Sequence, residues 1–403
     1  MELHETEERR ALRKAVSEIA KDFGHDYYVA KSLGGEKSSE LWQAVGKQGF
    51  LGVNIAEQYG GGGGGIYDMQ IVGEELAAAG CPLLMTVVSP TICGTIIEAF
   101  GSDELKARWL PGIASGEIIM AFAITEPDAG SNSHNISTHA KRVGGDWVLN
   151  GTKYYISGVD EAEAILVVTR TATDDRGRGR LSLLVVPTDA PGLTKTLIPV
   201  QAVTPEKQFT LFFDDVRVPA ENLIGAENDG LRQVFMGLNP ERIMGAALGN
   251  GIGRYALDKA SAYARERKVW DVPIGAHQGL SHPLAHAKIQ LELARLMTQR
   301  AASLHDAGDP GERAGVARPD DERAQALPGQ LGPDRGRGVQ RPPVGTGQRD
   351  HHRELPAHLD HGDLLRRPGT DGPPGTTIGA GPGGTPGPGR RSRTTTSVGG
   401  RGR

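Results

Sequence analysis

The sequence has few cysteines, no long apolar run and no large excess of charge. Only Cys81 and Cys93 occur among 403 residues, so a disulfide framework is excluded and a reducing cytosol is expected. The longest apolar runs, such as residues 118–124, are too short to cross a bilayer. The net charge of −4 gives no indication of binding to nucleic acid or to a membrane. We therefore expect a soluble, cytoplasmic protein.

The beginning of the sequence lacks the apolar stretch of a secretory signal. Residues 1–16, MELHETEERRALRKAV, instead alternate charges at helical spacing. Apolar side chains at Leu12, Val16 and Ile19 would lie on one face of a helix. The first residues are thus predicted to belong to a folded helical domain, and no metal site is expected anywhere in the chain.

The last 86 residues lack lysine, asparagine, methionine, cysteine and every aromatic residue. Residues 318–403 contain 19 Gly, 12 Pro and 14 Arg, with one Ile. Burial of so little apolar surface cannot offset the loss of chain entropy on folding. We therefore expect residues 318–403 to be disordered. Because several of the absent residue types have AT-rich codons, we hypothesise a frameshift close to codon 317. The alternative is an Arg/Gly tail that binds nucleic acid. The composition does little to support it, because the tail has nine acids beside its 14 Arg and no aromatic side chain on which a base could stack.

Residues 5–119 have a mainly helical pattern. Ser102 is an expected N-cap, and the six glycines of residues 60–65 are expected to form a surface loop. These glycines are not predicted to bind phosphate, because no preceding strand and no following G-K-[ST] is present. The predicted helices are 8–20, 41–50, 68–79, 91–100 and 102–109.

From residue 118 the pattern changes to short, β-branched segments, and after residue 222 it returns to helix. Asn239 as N-cap and Pro240 as first residue predict a helix start. The next helix, 283–304, places Ile289, Leu293 and Met297 on one stripe with Leu296. The predicted strands are 118–124, 146–149, 164–169, 181–186, 193–198 and 209–213, enough for a small barrel or sandwich.

Several separated motifs carry a family resemblance that covers residues 5 to about 315. Residues 121–132, AFAITEPDAGSN, are followed by Tyr155-Ile156-Ser157, and together they resemble the flavin-binding signature of the acyl-CoA dehydrogenases. Further matches are residues 53–61 (VNIAEQYGG), 106–117 (KARWLPGIASGE), 217–222 (RVPAEN), Arg267-Lys268 and His277-Gln278.

The resemblance implies an α+β fold in three parts: an N-terminal helical domain (1–119), a middle β-barrel domain (120–226) and a C-terminal helical bundle. Only the first half of that bundle, 227–317, is recognisable before the 318–403 tail. The implied activity is α,β-dehydrogenation of an acyl-CoA thioester with FAD as cofactor. The implied partners are the acyl-CoA substrate, an electron-transfer flavoprotein and further copies of the chain in a homodimer or homotetramer.

The resemblance also implies roles for individual residues. Ser131 and Arg242 would contact the substrate, Tyr155 would cover one face of the flavin and Arg267 would neutralise its diphosphate. The residues expected to bind the cofactor are Phe122, Ile124, Thr125, Tyr155, Ile156, Ser157, Arg267, His277 and Gln278.

The catalytic base must be a carboxylate whose pKa is raised by desolvation. Glu241, immediately before Arg242, stands where some members of the family have their base. The alternative is that Glu241 is a first-turn residue favoured by the helix dipole. We select Glu241 because no other acid of the matching region is placed to serve.

Two departures from the family pattern bear on function. Trp270-Asp271 replaces the usual Phe-Gly, and no Gly-Gly-x-Gly segment follows residue 317. Without half of its bundle, the apolar stripe of the last helix would be exposed and invite aggregation. We therefore expect weak flavin binding or none. The alternatives to a dehydrogenase are an acyl-CoA oxidase, revealed by oxygen reactivity, and a non-catalytic acyl-CoA-binding scaffold, revealed by thioester binding without flavin reduction.

Overall fold

A computed structural model describes residues 5–308. Within them the chain runs from helices through a sheet and back to helices, which confirms the α+β class and the predicted order of its parts. The predicted disorder after residue 317 and the missing half of the bundle lie outside the described residues. The helices of the first part are α1 (Glu7–Gly34), α2 (Ser39–Lys47), α3 (Ile66–Ala78), α4 (Thr95–Phe100) and α5 (Asp103–Ser115), with a π-helix at Val87–Gly94 that leads into α4.

Local signals explain most ends of these helices. Ser102 caps α5 as predicted, because its side chain accepts a hydrogen bond of 3.3 Å from the backbone N–H of Leu105. Helix α1 extends well beyond the predicted 8–20, across a kink at Gly24, whose φ of 73° is open to glycine. The start of α3 is capped from a distant part of the chain: Asp306 accepts hydrogen bonds of 2.8 and 2.9 Å from the N–H groups of Ile66 and Tyr67.

The predicted glycine loop is present and folds back on its own backbone. The N–H groups of Gly62 and Gly63 donate to the carbonyls of Gly52 and Ile55 at 2.9 Å each. A Cβ atom on Gly61 would lie 2.1 Å from the Ile55 carbonyl oxygen. These glycines are therefore explained by close backbone packing.

The middle part is one eight-stranded sheet. The strands are β1 (Met120–Ala123), β2 (His139–Val143), β3 (Asp146–Ser157), β4 (Ala164–Thr173), β5 (Gly179–Pro187), β6 (Leu193–Ile198), β7 (Gln208–Val218) and β8 (Leu223–Ile224). Strands β2 to β8 form the order β6-β7-β3-β2-β4-β5-β8, and β1 pairs in parallel with β4.

Two of these strands differ from the prediction. Strand β2 was not predicted, because only Ala140 of its five residues is buried and no apolar alternation is visible. Strand β3 runs past its predicted end at residue 149, since Asn150-Gly151 does not turn the chain. A register shift against β7 between Leu149 and Gly151 absorbs the irregularity there.

Strands β4 and β5 of the sheet are buried on both faces. Leu166 and Val168 of β4 point into a core shared with the N-terminal helices. Ile165 and Val167 point to the opposite side, into a second core with Trp147. Near-continuous apolar sequence in β4 follows from this double burial.

The last part contains α6 (Gly230–Glu266), a short hairpin of β9 (Lys268–Val269) and β10 (Val272–Pro273), and α7 (Gln278–Asp306). The predicted helix start at Asn239 is wrong, because α6 begins at Gly230 and continues through Pro240. The Asn239 side chain accepts from Arg242 at 2.9 Å and does not cap a helix. Packing decides this: Gly237, before the predicted start, lies against the π-helix, where a Cβ would be 2.9 Å from Ile92 Cγ2.

The predicted stripe on α7 is exposed within the described part of the chain. The side chains of Ile289, Leu293, Leu296 and Met297 are 60%, 58%, 44% and 64% exposed. No helix among residues 5–308 is long and apolar enough to span a membrane. In the same residues there is no group of three His, Cys, Asp or Glu that could hold a metal ion.

Candidate functional site

The two halves of the predicted flavin signature lie side by side. Phe122 is in β1, and Ile124 and Thr125 follow directly after that strand. The backbone N–H of Tyr154, in β3, donates a hydrogen bond of 2.9 Å to the carbonyl of Thr125. We call this region, residues 122–126 with 153–157, the β1–β3 platform.

Tyr155 projects from the platform because of an irregularity in β3. Its φ is +57°, and the pairing with β7 shifts register between Lys153 and Ile156. The Tyr155 side chain is 57% exposed, and its ring contacts that of Tyr154 edge-on with centroids 4.2 Å apart. A left-handed backbone conformation costs a tyrosine about 1 kcal/mol or more, and such backbone strain is concentrated at ligand sites. The bulge thus presents an aromatic surface beside Thr125.

The remaining platform residues differ in what they can offer a ligand. Ile156 is 2% exposed, so only its backbone can reach a ligand. Ser157 is held by Gln208, whose Nε2 donates to Ser157 Oγ at 2.8 Å. The Thr125 hydroxyl has no hydrogen-bond partner within residues 5–308. The platform therefore offers hydroxyl and backbone groups next to an exposed ring.

Arg267, His277 and Gln278 form a second group around the β9–β10 hairpin. Arg267 follows the last residue of α6, and its carbonyl accepts from the N–H of Ile274 at 2.8 Å. The hairpin turn is made by Trp270 and Asp271, both at positive φ (49° and 64°). Trp270 is 86% exposed and lies 6.4 Å from the His277 ring. The nine predicted cofactor residues therefore form two groups, one on the sheet and one between α6 and α7.

Glu241 lies well inside α6. Because the helix begins at Gly230, Glu241 is beyond the first turn, and the helix dipole does not account for it. Burial raises the pKa of its carboxyl, against the opposing effect of the Arg242 charge. The Glu241 carboxyl has no hydrogen-bond partner among the described residues. It is therefore a largely enclosed carboxyl with a proton affinity suited to a base.

The π-helix links Glu241 to the platform. Helix α6 packs on it through Gly237, one turn before Glu241. Strand β1 packs on it too, where the backbone N–H of Met120 donates to Ser89 Oγ at 3.0 Å. The Glu241 carboxyl on α6 and the platform that begins at β1 therefore belong to elements that both pack on the π-helix. Arg242, the next residue, is exposed.

A cavity of about 290 Å³ opens between the β4–β5 turn and the start of α6. We call it the arginine pocket. Arg176 and Arg178 of the turn and Arg180 of β5 have no carboxylate partner within 4.0 Å among residues 5–308. The pocket is lined by His134, Asp174, Asp175, Arg176, Arg178, Gly179, Arg180, Leu181, Asn228, Asp229, Leu231 and Arg232.

The acids of the pocket are partly engaged. Asp229 pairs with Arg232 at 2.6 Å. Asp174 accepts from the backbone N–H groups of Arg178 and Arg176 at 2.8 and 3.0 Å, and these bonds lower its pKa. His134 Nδ1 is buried without a partner. Three free guanidiniums and an unpartnered imidazole nitrogen suit an anion such as a phosphate.

The pocket was not predicted from the sequence. Its one local signal is the run RGRGR at residues 176–180, between two predicted strands. Ser131, the predicted substrate contact, is exposed in the loop that leads to His134. The loop joins the platform to the pocket, since it begins at Glu126.

Comparison with known proteins gives the family. The acyl-CoA dehydrogenase N-terminal, middle and C-terminal domain models match residues 6–117, 121–216 and 228–318. Acyl-CoA dehydrogenase FadE12 of Mycobacterium tuberculosis is 59% identical over 305 residues, which are 76% of this chain and 79% of that protein.

Solved structures agree. Butyryl-CoA dehydrogenase from Megasphaera elsdenii is similar with a TM-score of 0.73 and 27% identity over 77% of this chain and 82% of its own. PigA with FAD and proline is similar with a TM-score of 0.71 and 26% identity over 76% and 81%. The chain belongs to the acyl-CoA dehydrogenase family. It is a flavoprotein oxidoreductase, and FAD is its cofactor.

Proposed function

We propose that this chain oxidises an acyl-CoA thioester between its α and β carbons, with Glu241 as the base. The observation that carries the proposal is the partnerless, largely enclosed carboxyl of Glu241 inside α6, the raised pKa of which follows from burial. FAD, when bound, supplies the acceptor for the hydride that leaves the β carbon. Glu241 takes the α proton, and the electrons of that C–H bond form the new double bond.

The groups of the platform fit a flavin ring. Tyr155 offers an exposed aromatic face, and Thr125 offers an unengaged hydroxyl. Ser157 and the backbone of Ile124 and Ile156 lie along the same edge, and Phe122 supports it from β1. The Arg267 side chain has no ion pair among the described residues and is suited to a diphosphate.

The second group supports an oligomer. Arg267, His277 and Gln278 lie around the β9–β10 hairpin between α6 and α7, whereas the platform lies on the eight-stranded sheet. We propose that a homodimer or homotetramer brings this group of one copy to the flavin of another. The exposed stripe on α7 gives such an assembly apolar surface to bury.

The arginine pocket supports coenzyme A as the carrier of the acyl group. Arg232 of the pocket and Glu241 are nine residues apart on α6, which corresponds to about 13.5 Å along the helix axis. An extended phosphopantetheine arm can cover that span, with its phosphates at the arginines and its thioester at Glu241. Ser131 and Arg242 would then contact the arm between these ends.

Further parts of the proposal concern the setting of the reaction. We propose an electron-transfer flavoprotein as electron acceptor, a cytoplasmic location, and a division of the matching region at residues 119 and 226. The free, buried thiols of Cys81 and Cys93 support a reducing compartment. Weak flavin binding, or none, also stays a prediction, because it depends on residues beyond 308, which lie outside the described part of the chain.

The deciding experiment is the visible spectrum of the purified full chain before and after anaerobic addition of acyl-CoA thioesters of several chain lengths. Because weak flavin binding is predicted, FAD is added to the protein first, and we expect the flavin band of the loaded protein to bleach with substrate. Rapid reoxidation by air would indicate the oxidase, and thioester binding without bleaching would indicate the scaffold. A colourless preparation that takes up no added FAD would contradict the proposed activity for this chain.

A further inference from the structure

A fully buried ion pair lies within the β1–β3 platform, between Lys153 and Glu126. Lys153 of β3 is 0% exposed and Glu126, in the loop after β1, is 2% exposed. Lys153 Nζ and Glu126 Oε1 are 2.9 Å apart. Burial by itself would raise the pKa of Glu126, but the Lys153 charge and the hydrogen bonds to the carboxylate hold that pKa well below its usual range.

Both side chains also bind backbone. Lys153 Nζ donates to the carbonyl of Ile124 at 2.9 Å. Glu126 accepts from the N–H and the hydroxyl of Ser137 at 2.7 Å each, and from the N–H of Thr138 at 3.0 Å. The pair therefore joins three segments: the loop after β1, the residues before β2, and β3.

The contacts that hold the platform in place are made to three consecutive residues, 124 to 126. The Ile124 carbonyl is held by Lys153, the Thr125 carbonyl by the N–H of Tyr154, and the Glu126 side chain by Ser137 and Thr138. Because both carbonyls are drawn toward β3, the orientation of the peptide groups around Thr125 is fixed. These are the groups that would face a flavin ring.

Stability alone does not explain the pair. A buried ion pair contributes little compared with a well-packed apolar replacement, because desolvation of both charges offsets their attraction. Burial lowers the pKa of Lys153, and the Glu126 charge offsets only part of that effect. A pair that holds three segments in one arrangement is instead suited to geometric specificity.

We propose that Lys153 and Glu126 are positioning residues that hold the edge of residues 124–126 in the geometry that receives the flavin. The proposal rests on the proposed function, since it takes the platform as the flavin site. Neither residue touches the ligand in this scheme: both act through the backbone of Ile124 and Thr125. Their loss should therefore loosen the platform even where the fold survives.

The test uses the full-length chain and separates positioning from stability. K153M alone leaves the Glu126 charge buried without its cation and should destabilise the fold. The double variant K153M/E126Q contains no unpaired charge and should recover most of the melting temperature. N250A is the matched control, because it removes a buried hydrogen bond of 3.0 Å to Thr298 far from the platform.

Two readouts follow. Amide hydrogen exchange on flavin-free protein should become at least tenfold faster for residues 121–138 in K153M/E126Q, and stay unchanged there in N250A. The dissociation constant of FAD, from fluorescence quenching, should rise at least tenfold in the double variant only.

Exchange at wild-type rates in the double variant, or faster exchange with unchanged FAD affinity, would overturn the proposal. Because exchange is measured without flavin, an inactive chain would refute the proposed function and still decide whether the pair holds the platform.

Discussion

Arg254 on α6 and Glu74 on α3 are joined by a hydrogen bond of 3.0 Å between Nη1 and Oε1. Glu74 is 1% exposed and also accepts from Arg13 on α1 at 3.2 Å and from Arg295 on α7. One buried carboxylate thus connects four helices that are far apart in sequence. It therefore holds the helices that precede the sheet in the sequence against those that follow it.

The first prediction is that E74A strongly destabilises the protein. The substitution leaves three guanidiniums with reduced compensation, and breaking a buried ionic network typically lowers the free energy of unfolding by about 3–5 kcal/mol. Chemical denaturation measures the loss. E18A, which removes an exposed pair with Lys14, is the control and should change the same quantity by less than about 1 kcal/mol. A loss of that small size in E74A would contradict the role of the network.

The second prediction concerns the base. E241Q should lower the rate of anaerobic flavin reduction by acyl-CoA at least about 1000-fold, because the amide cannot take the α proton. Stopped-flow absorbance gives the rate, and the flavin band of the resting protein should be unchanged. E221Q, at an exposed acid before α6, should reduce flavin at the wild-type rate. Comparable rates in E241Q and wild type would place the base elsewhere.

The third prediction concerns the arginine pocket. R176Q/R178Q should raise KM for acyl-CoA about tenfold or more with little change in kcat, since phosphate contacts are equal in the ground and transition states. The same variant should treat an acyl-pantetheine thioester, which lacks the nucleotide, as wild type does. R108Q changes an exposed arginine on α5 beside Trp109 and serves as the control. An equal rise in KM for both thioesters would show that the pocket does not bind the phosphates of the nucleotide.

The fourth prediction is a pH dependence of stability. Burial raises the pKa of Glu161 to about 7, with help from Glu206 and Asp160 and against the charges of Lys37 and Lys207. The folded state therefore retains a proton that the unfolded state loses near pH 4.5, so this stabilisation is present at low pH and is lost as pH rises toward 7. E161Q should raise the melting temperature at pH 8 and have little effect at pH 4.5. An equal effect at both pH values would show that titration of Glu161 is not the cause.

The fifth prediction concerns the β9–β10 turn. Asp271 has a φ of 64°, which is unfavourable for a residue with a side chain and open to glycine. D271G should therefore raise the free energy of unfolding by about 1 kcal/mol in thermal or chemical denaturation. D258G, inside α6, is the matched control and should lower it by about 0.3 kcal/mol, because glycine is a slightly poorer helix former than aspartate. Destabilisation by D271G would mean that the Asp271 side chain makes a contact of its own.

Sequence patterns predicted best what depends on residues close together in the chain. The Ser102 cap and the apolar stripe of α7 follow from local chemistry, and both are present. The adjacency of residues 121–125 to Tyr155 came from a family motif. Tertiary packing overrode the local signal at Asn239-Pro240, because Gly237 needs a helix to meet the π-helix.

Features made by distant residues have no sequence pattern that joins their separate segments. Lys153 and Glu126 are 27 residues apart, and each would pass as a solvated surface charge. The arginine pocket joins a turn of the sheet to the start of a helix about fifty residues later. No periodicity connects such segments, so only the folded chain reveals what they form.

The cap that Asp306 places on α3 has a consequence for the order of events during synthesis. The two ends of that hydrogen bond are 240 residues apart, so the N-terminus of α3 has no partner from α7 until nearly the whole described chain has left the ribosome. At about 5–20 residues per second, that interval lasts roughly 12–48 s. Until then the start of α3 lacks the Asp306 cap, which only the last turn of α7 supplies.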